Sequence, residues 1–409
     1  MVTDRDVTFA IEPIGTGPGG VPALNVDIGN PGPVHSHFLE WDGLRERYPA
    51  FWNQGDGGHW VLTRFESIRN ALQEHETFSN ESTIISDPDP DYKMIPTFLD
   101  PPEHGKYRTL YNARFSPAMV ERVTDFARQA CNEAIDTFID KGACDLIEDF
   151  ADPYPTKVFL SSVNLPIEDT PLFVNWVTAI FAGLSGKDPE GGAVAMGEVR
   201  EYFTELLEDR RRNPRDVDVD MVTYLLEARI DGEPLSQDDL LWMCMVLVLA
   251  GLDTTKSQLG YNFHHLATHP DDRRRLVEDP SLIPTAIEEL LRANAFVPPA
   301  RKLKRDVEVD GCPMKKGQMV LMPLWAACRD PRAFDGGPEV RIDRTPNRHI
   351  AFGAGPHRCA GAHLARRELL VAMEEWHKRI PDYELATDGP LIEHGWQCGL
   401  DHLPLSWST

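Results

Sequence analysis

Within ten residues, Phe352-Gly-Ala-Gly-Pro-His-Arg-Cys359-Ala-Gly361, the chain places three glycines, a proline and a cysteine directly before its last strong helical pattern. Glycines let a backbone come close to a flat partner, because no Cβ stands in the way. The cysteine precedes a helix N-terminus, where backbone N–H groups and the positive helix end favour a thiolate. Arg358 adds positive charge. A buried structural cysteine in a turn would need none of these neighbours.

The remaining pattern is mostly helical. Ser116-Pro117 sets a capping serine before a proline at the first helical position. Ser236, with Asp239 three residues on, caps a long helix predicted to reach about His269. Pro284 opens a helix through about Ala293, and the last runs from about Ala360 to Arg379, stopped by Pro381. His59 to Leu62 alternates as a strand, and Arg64 to Phe78 has helical spacing. Residues 301–325 read as short strands and 383–408 as a terminal hairpin. The stretch 79–102, full of Asp, Pro and Ser, is a long irregular loop of the functional kind. Ile180 to Gly197 is glycine-rich and expected to be mobile, with helix resuming over Val199 to Arg212. No repeat or linker appears. Residues 1–409 read as one domain, mainly α with a small β part, led by an extended segment over 1–35.

Charge removes several function classes. With 41 basic and 65 acidic residues the net charge is −24, which repels phosphate backbones and anionic lipid heads. The longest apolar run, Leu240 to Leu252, ends at Asp253. It is shorter than the roughly 20 residues of a membrane span and reads as a buried core helix. The first residues carry Asp4 and Asp6 rather than an apolar signal core. The seven cysteines, at 131, 144, 244, 312, 328, 359 and 398, are odd in number and unclustered. That favours a reducing cytoplasm over a disulfide framework, and no CxxC pair suggests zinc or an iron–sulfur cluster.

A thiolate held in a glycine-rich loop is what an axial haem ligand requires. The second chemical signal is Ala250-Gly-Leu-Asp253-Thr254-Thr255. Gly251 stands mid-helix, at a cost of about 1 kcal/mol relative to Ala. Asp253 and Thr254 close the most apolar stretch of the chain, where an acid is expensive to charge unless paired or hydrated.

Together these motifs resemble the cytochromes P450. Phe352 to Gly361 resembles the family's haem-binding loop. Glu289-Leu-Leu-Arg292 and Asp100-Pro-Pro-Glu-His104-Gly-Lys-Tyr-Arg108 agree with it in order and spacing, over about residues 35–408. Gly58-His-Trp, Ile95-Pro-Thr and Leu403-Pro-Leu-Ser-Trp407 are similar to the soluble bacterial, camphor-hydroxylase-like group. The resemblance implies the P450 fold, with haem b between a long central helix and the loop and helix of Cys359. It implies Cys359 as the iron's axial thiolate, with Phe352, Gly353, Gly361, Ala250 and Gly251 beside the haem. The missing side chain of Gly251 would leave space for dioxygen. His104, Arg108, Arg301 and His357 would hold the two propionates, which need charge-assisted donors when buried. Thr254 would hold a water and Asp253 would relay protons. Glu289 and Arg292, three apart on one helix face, would form a structural pair supporting the cysteine loop. The third partner is unassigned, because Pro338-Glu-Val-Arg341-Ile-Asp-Arg344 departs from the common pattern.

The resemblance also places substrate among residues 80–97, 177–196, 244–251, 294–299 and 395–400. These include Tyr92, Met94, Ile95, Val248, Val297 and Trp396, a mostly apolar set that points to a compact apolar substrate such as a terpenoid or small aromatic. Hydroxylation and O-demethylation both fit. No flavin or iron–sulfur motif is fused to the chain, so electrons are expected from a separate ferredoxin and its NAD(P)H-dependent reductase. The donor would dock near Cys359 on Arg69, Arg108, Arg114, Arg358 and Arg366. The expected activity is a haem-thiolate monooxygenase using O2. The alternatives are a haem-thiolate isomerase, dehydratase or peroxygenase, which often lack the acid–alcohol pair, and a haem-based sensor.

Overall fold

The computed structural model describes residues 11–29, 32–184, 186–394 and 397–409. Helices take about 51% of the chain, against strands of two to four residues, as the mainly-α reading expects. The cap predicted at Ser236 is present: its Oγ accepts the Asp239 N–H at 3.1 Å and opens the helix Gln237–Gly251. This helix is interrupted at Leu252 (φ −103°, ψ −56°) and resumes as Asp253–Thr268. By length and apolarity, Gln237–Thr268 is sufficient to cross a bilayer, yet half of it is packed inside the protein, as in a core helix. The largest apolar cluster is built around its inward residues, including Leu240, Met243 and Val248 before the break and Leu259 and Phe263 after it.

The main sheet has seven short strands, in the order Gly15–Thr16, Pro22–Leu24, Ala50–Asn53, His59–Leu62, Met319–Leu321, Ala300–Leu303, Phe78–Ser79. Arg301 pairs with Val320 on the Met319–Leu321 strand, which runs parallel to His59–Leu62. The arginine is thereby fixed on an interior strand.

Two sequence expectations change. The glycine-rich stretch from Ile180 is helical on both sides of a short connection, as Thr170–Leu184 and Pro189–Arg212. Asp188 caps the second helix through the Gly191 N–H at 3.0 Å, with Pro189 at its first position. A Cβ on Gly183 or Gly192 would come within 2.8 Å of the other's Cα. Close helix packing, not mobility, is what these glycines permit. Residues 383–408 form not one hairpin but parts of two sheets. Glu384–Leu385 pairs with Pro404–Ser406 and then Ala143–Asp145, and Ile392–His394 lies between Gly399–Leu400 and Gly32–Pro33. Alternation identifies a strand, but the outer partners, Ala143–Asp145 and Gly32–Pro33, lie hundreds of residues away.

Candidate active site

The cysteine turn is held by its own backbone. Cys359 N–H donates to the Phe352 carbonyl at 2.9 Å and Arg358 N–H to the Gly355 carbonyl at 3.1 Å. Gly353 and Gly355 both have φ of +73°, the left-handed region that glycine enters without penalty. A Cβ on Gly355 would also lie 2.4 Å from the Leu72 carbonyl oxygen. Cys359 is exposed, whereas the other six cysteines are buried. Even so, the surrounding protein partly desolvates its thiol. Burial raises its thiol pKa, and the Gly361 N–H with Arg108, Arg358 and Arg366 only partly opposes this. The helix end and arginines expected to favour a thiolate are thus opposed by burial. A stable thiolate here needs a cation on the sulfur, which an iron ligand supplies.

The helix that follows, Ala362–Arg379, reaches the central helix through a hydrogen bond from Thr255 Oγ1 to Glu368 Oε2 at 3.1 Å. Glu368 was missed by sequence reasoning. Its carboxyl is buried, its Oε1 has no partner among the described residues, and burial lifts its pKa to about 8. The available signal was a glutamate within the apolar stripe of Leu364, Ala372 and Trp376. On the central helix, Trp242 and Val246 are half-buried and Ala250 is exposed, at i, i+4 and i+8. This accessible stripe in a core helix borders open space. At the break, Thr254 Oγ1 donates to the Ala250 carbonyl at 3.2 Å. Burial raises Asp253 to about 6; Lys256 lowers it, and Asp152 and Asp401 raise it further. Lys256 Nζ is itself paired with Asp152 at 2.9 Å. The site thus holds a carboxyl group that titrates near neutrality beside a hydroxyl.

His104, Arg108, Arg301 and His357 converge. The His104 and His357 rings lie 3.9 Å apart, and Arg108 donates to the Arg358 carbonyl. Arg301 is 4% exposed and hydrogen-bonds only to the carbonyl of Ala300 among the described residues. His357 Nε2 is buried without a partner. Burial lowers Arg301 to about 10, His104 to about 4 and His357 to about 2, with mutual repulsion adding for the two histidines. None of the four forms an ion pair with a carboxylate among the described residues. A cluster of donors with no carboxylate partner, two of them buried, fits a dianionic ligand such as the haem propionates.

Glu289 and Arg292 are fully buried and joined by two hydrogen bonds of 2.7 and 2.8 Å. The missing third partner is Arg344, whose Nε donates to Glu289 Oε2 at 2.9 Å; Asn347 adds a bond at 3.0 Å. Arg292 also donates to the carbonyls of Cys328, Gly337 and Glu339. Burial would raise Glu289, but these arginines and the Arg341 N–H hold it below its usual range. Glu289→Ala should lower stability by about 3–5 kcal/mol, because it strands buried guanidinium charge. Chemical denaturation of the haem-loaded protein checks this, and a change below about 1 kcal/mol would reject the hub.

The residues named as substrate contacts divide. Met94 and Val297 are half-buried, and Tyr92 stacks on Trp242 at 5.5 Å and 19°. Val248 (0% exposed) and Ile95 (5%) are packed in the core and do not border the recess. The accessible face of this helix carries Val246 and Ala250 and is offset from Val248. Trp396 lies outside the described residues. Gly251 needs another explanation too: a Cβ there would lie 2.7 Å from the Phe159 ring. The missing side chain admits Phe159 rather than leaving a void. Of the expected basic patch, Arg366 is bidentate to Glu288 and Arg69 is paired with Glu66. That leaves Arg108, Arg114 and Arg358 without a carboxylate partner among the described residues.

The chain matches the family model for cytochrome P450 over residues 34–376. It is 34% identical to "Probable cytochrome P450 127A1" of Sinorhizobium fredii, over 87% of this chain and 85% of that protein. It is 30% identical to "Steroid C26-monooxygenase" of Mycolicibacterium smegmatis, over 88% and 90%. The solved structure of CYP101J2 overlays with a TM-score of 0.86 at 30% identity, covering 97% of this chain and 100% of that one, in keeping with the camphor-hydroxylase-like resemblance. The turn, the interrupted helix, the cluster of histidine and arginine donors and these likenesses agree: the chain belongs to the cytochrome P450 family, monooxygenases that carry haem b on a cysteine thiolate.

Proposed function

We propose that this enzyme inserts one oxygen atom of O2 into a compact, mainly apolar substrate, with electrons from a separate ferredoxin and its NAD(P)H-dependent reductase. The observation that carries the reading is the pair at the helix break, a carboxyl near pKa 6 next to a hydroxyl. Cys359 holds the iron. Support comes from its accessible, glycine-turned position, whereas Cys398 is buried at 1% exposure. His104, Arg108, Arg301 and His357 hold the propionates. Bound haem supplies the reduction of dioxygen and transfer of its oxygen atom.

The protein's part is proton traffic and exclusion of bulk water. Asp253 takes protons from the Lys256–Asp152 side and passes them to a water held by Thr254. Glu368, protonated near neutrality and bonded to Thr255, is a second buried acid in reach of the same turn. The lining by Val246, Val297 and Met94 suits an apolar ligand, and the steroid-oxidising relative is consistent with this. A terpenoid or small aromatic, hydroxylated or O-demethylated, remains the best match. The ferredoxin would dock on Arg108, Arg114 and Arg358, which stand out on a chain of net charge −24. The working compartment is the cytoplasm.

Thr254→Ala tests the reading. The variant should bind substrate and consume NAD(P)H and dioxygen, but release more hydrogen peroxide and less product, because protons no longer arrive through an ordered water. Product and peroxide per NAD(P)H are measured together. Full coupling in the variant would remove Thr254 from the route.

A further inference from the structure

Behind the strand pair Ile392–His394 and Gly399–Leu400 lies a buried group of ionisable side chains that the haem chemistry does not use. Glu393 has no exposed surface. Its Oε1 accepts the His35 N–H at 3.0 Å, and its Oε2 lies 2.6 Å from His37 Nδ1. His35 is held at φ +66°, a conformation a non-glycine residue adopts only when its surroundings impose it. Burial alone would lower His37, but Cys398 and Glu393 raise it to about 10, which favours the imidazolium facing the carboxylate. Tyr261, on the second half of the central helix, has its phenol pKa raised by burial and by Glu393. Three segments distant in sequence therefore meet at one carboxylate.

The backbone continues this connection toward the active site. Glu393 pairs in register with Gly32 on one side and with Leu400 on the other. The returning strand presses on the central helix: a Cβ on Gly399 would lie 2.6 Å from Ser257 Oγ, three residues beyond Thr254. Nothing bulkier than glycine fits, so a small displacement of this strand is felt at that turn. A buried ion pair adds little net stability, yet it selects one arrangement, because every alternative leaves a charge unpaired in low dielectric.

We infer that Glu393 is a positioning residue: by gripping His35 and His37 it fixes how residues 398–400 lie on the central helix at Ser257, and so shapes the recess beside Thr254. This rests on the proposed monooxygenase reading and on the expectation that residues 395–400 lie near the substrate. Removing the charge with Glu393→Gln keeps the side-chain shape but releases His37. The strand should then open locally while the haem stays bound.

Two readouts on the ferric haem protein test this. The first is N-ethylmaleimide labelling of Cys398, which is 1% exposed and reports strand opening, followed by peptide mass mapping well below the melting temperature. The second is the dissociation-constant ratio of 4-phenylimidazole to imidazole. Both bind haem iron, but only the phenyl ring senses recess shape. Glu393→Gln should raise the labelling rate and shift the ratio, each about tenfold or more, the size expected when a buried pair loses one partner. His37→Gln should reproduce both effects, which covers a Glu393 variant that fails to retain haem. Wild-type labelling and an unchanged ratio in either folded variant would overturn the inference. Faster labelling with an unchanged ratio would overturn the link to the recess. Failure of the monooxygenase reading would show separately, as no oxygenated product from the wild type supplied with O2 and reductant, with these ratios still shifted.

Discussion

Asp253→Asn is expected to slow product formation by about 10²–10⁴-fold while leaving substrate binding nearly intact. The buried carboxyl, raised to about 6, is a proton donor matched to neutral pH, and an amide of the same shape cannot replace it. The wild-type rate should fall as pH rises through about 6, because the protonated fraction falls; the asparagine variant should be flat there. Stability should fall over the same pH range. A carboxyl with its folded pKa raised from 3.8 to about 6 contributes stability below about pH 4 that is lost as pH rises through 6. Asparagine avoids that loss, worth up to about 3 kcal/mol with the attraction to Lys256 already included. A slow variant that is no less stable at pH 7 marks a functional residue. A rate within threefold of wild type would assign the route to Glu368 and its Thr255 contact instead.

The second large effect is at the sulfur. Cys359→His should abolish product formation and remove the red-shifted Soret band of the reduced, carbon monoxide-treated protein. The turn should survive, since it is held by glycine conformations and the Phe352 carbonyl rather than by the side chain. In the haem-free wild type, Cys359 should remain a thiol at neutral pH, because burial outweighs the three nearby arginines. Thiol titration of the haem-free protein measures this directly. A band that persists in Cys359→His would transfer the ligand role to another cysteine.

Much of this site was legible before any coordinates, because its chemistry is local. A glycine–cysteine turn before a helix, a serine cap at 236 and an Asp–Thr pair ending an apolar run are each specified by residues within one or two turns. The central helix, the haem-thiolate assignment and the family followed from such signals. The partner of Glu289 did not, since Arg344 arrives from 55 residues away along an irregular segment. Nor did Glu368, whose meaning depends on Thr255, 113 residues distant, and on burial that a helical pattern alone assigns to apolar residues.

What the sequence by itself determined is which groups this protein possesses and the local geometry that presents them: a sulfur on a tight turn, and an acid and a hydroxyl at a helix break. The tertiary structure alone decided which faces border open space, turning Val248 inward and Ala250 outward and filling the notch of Gly251 with Phe159. It also decided the proton affinities, placing Asp253 near 6 and Glu368 near 8 and holding Cys359 above its ordinary value. The reason is physical. Rotation about a helix axis and desolvation by neighbours are set by packing between elements far apart in the chain, and the periodicity of one element carries no information about either.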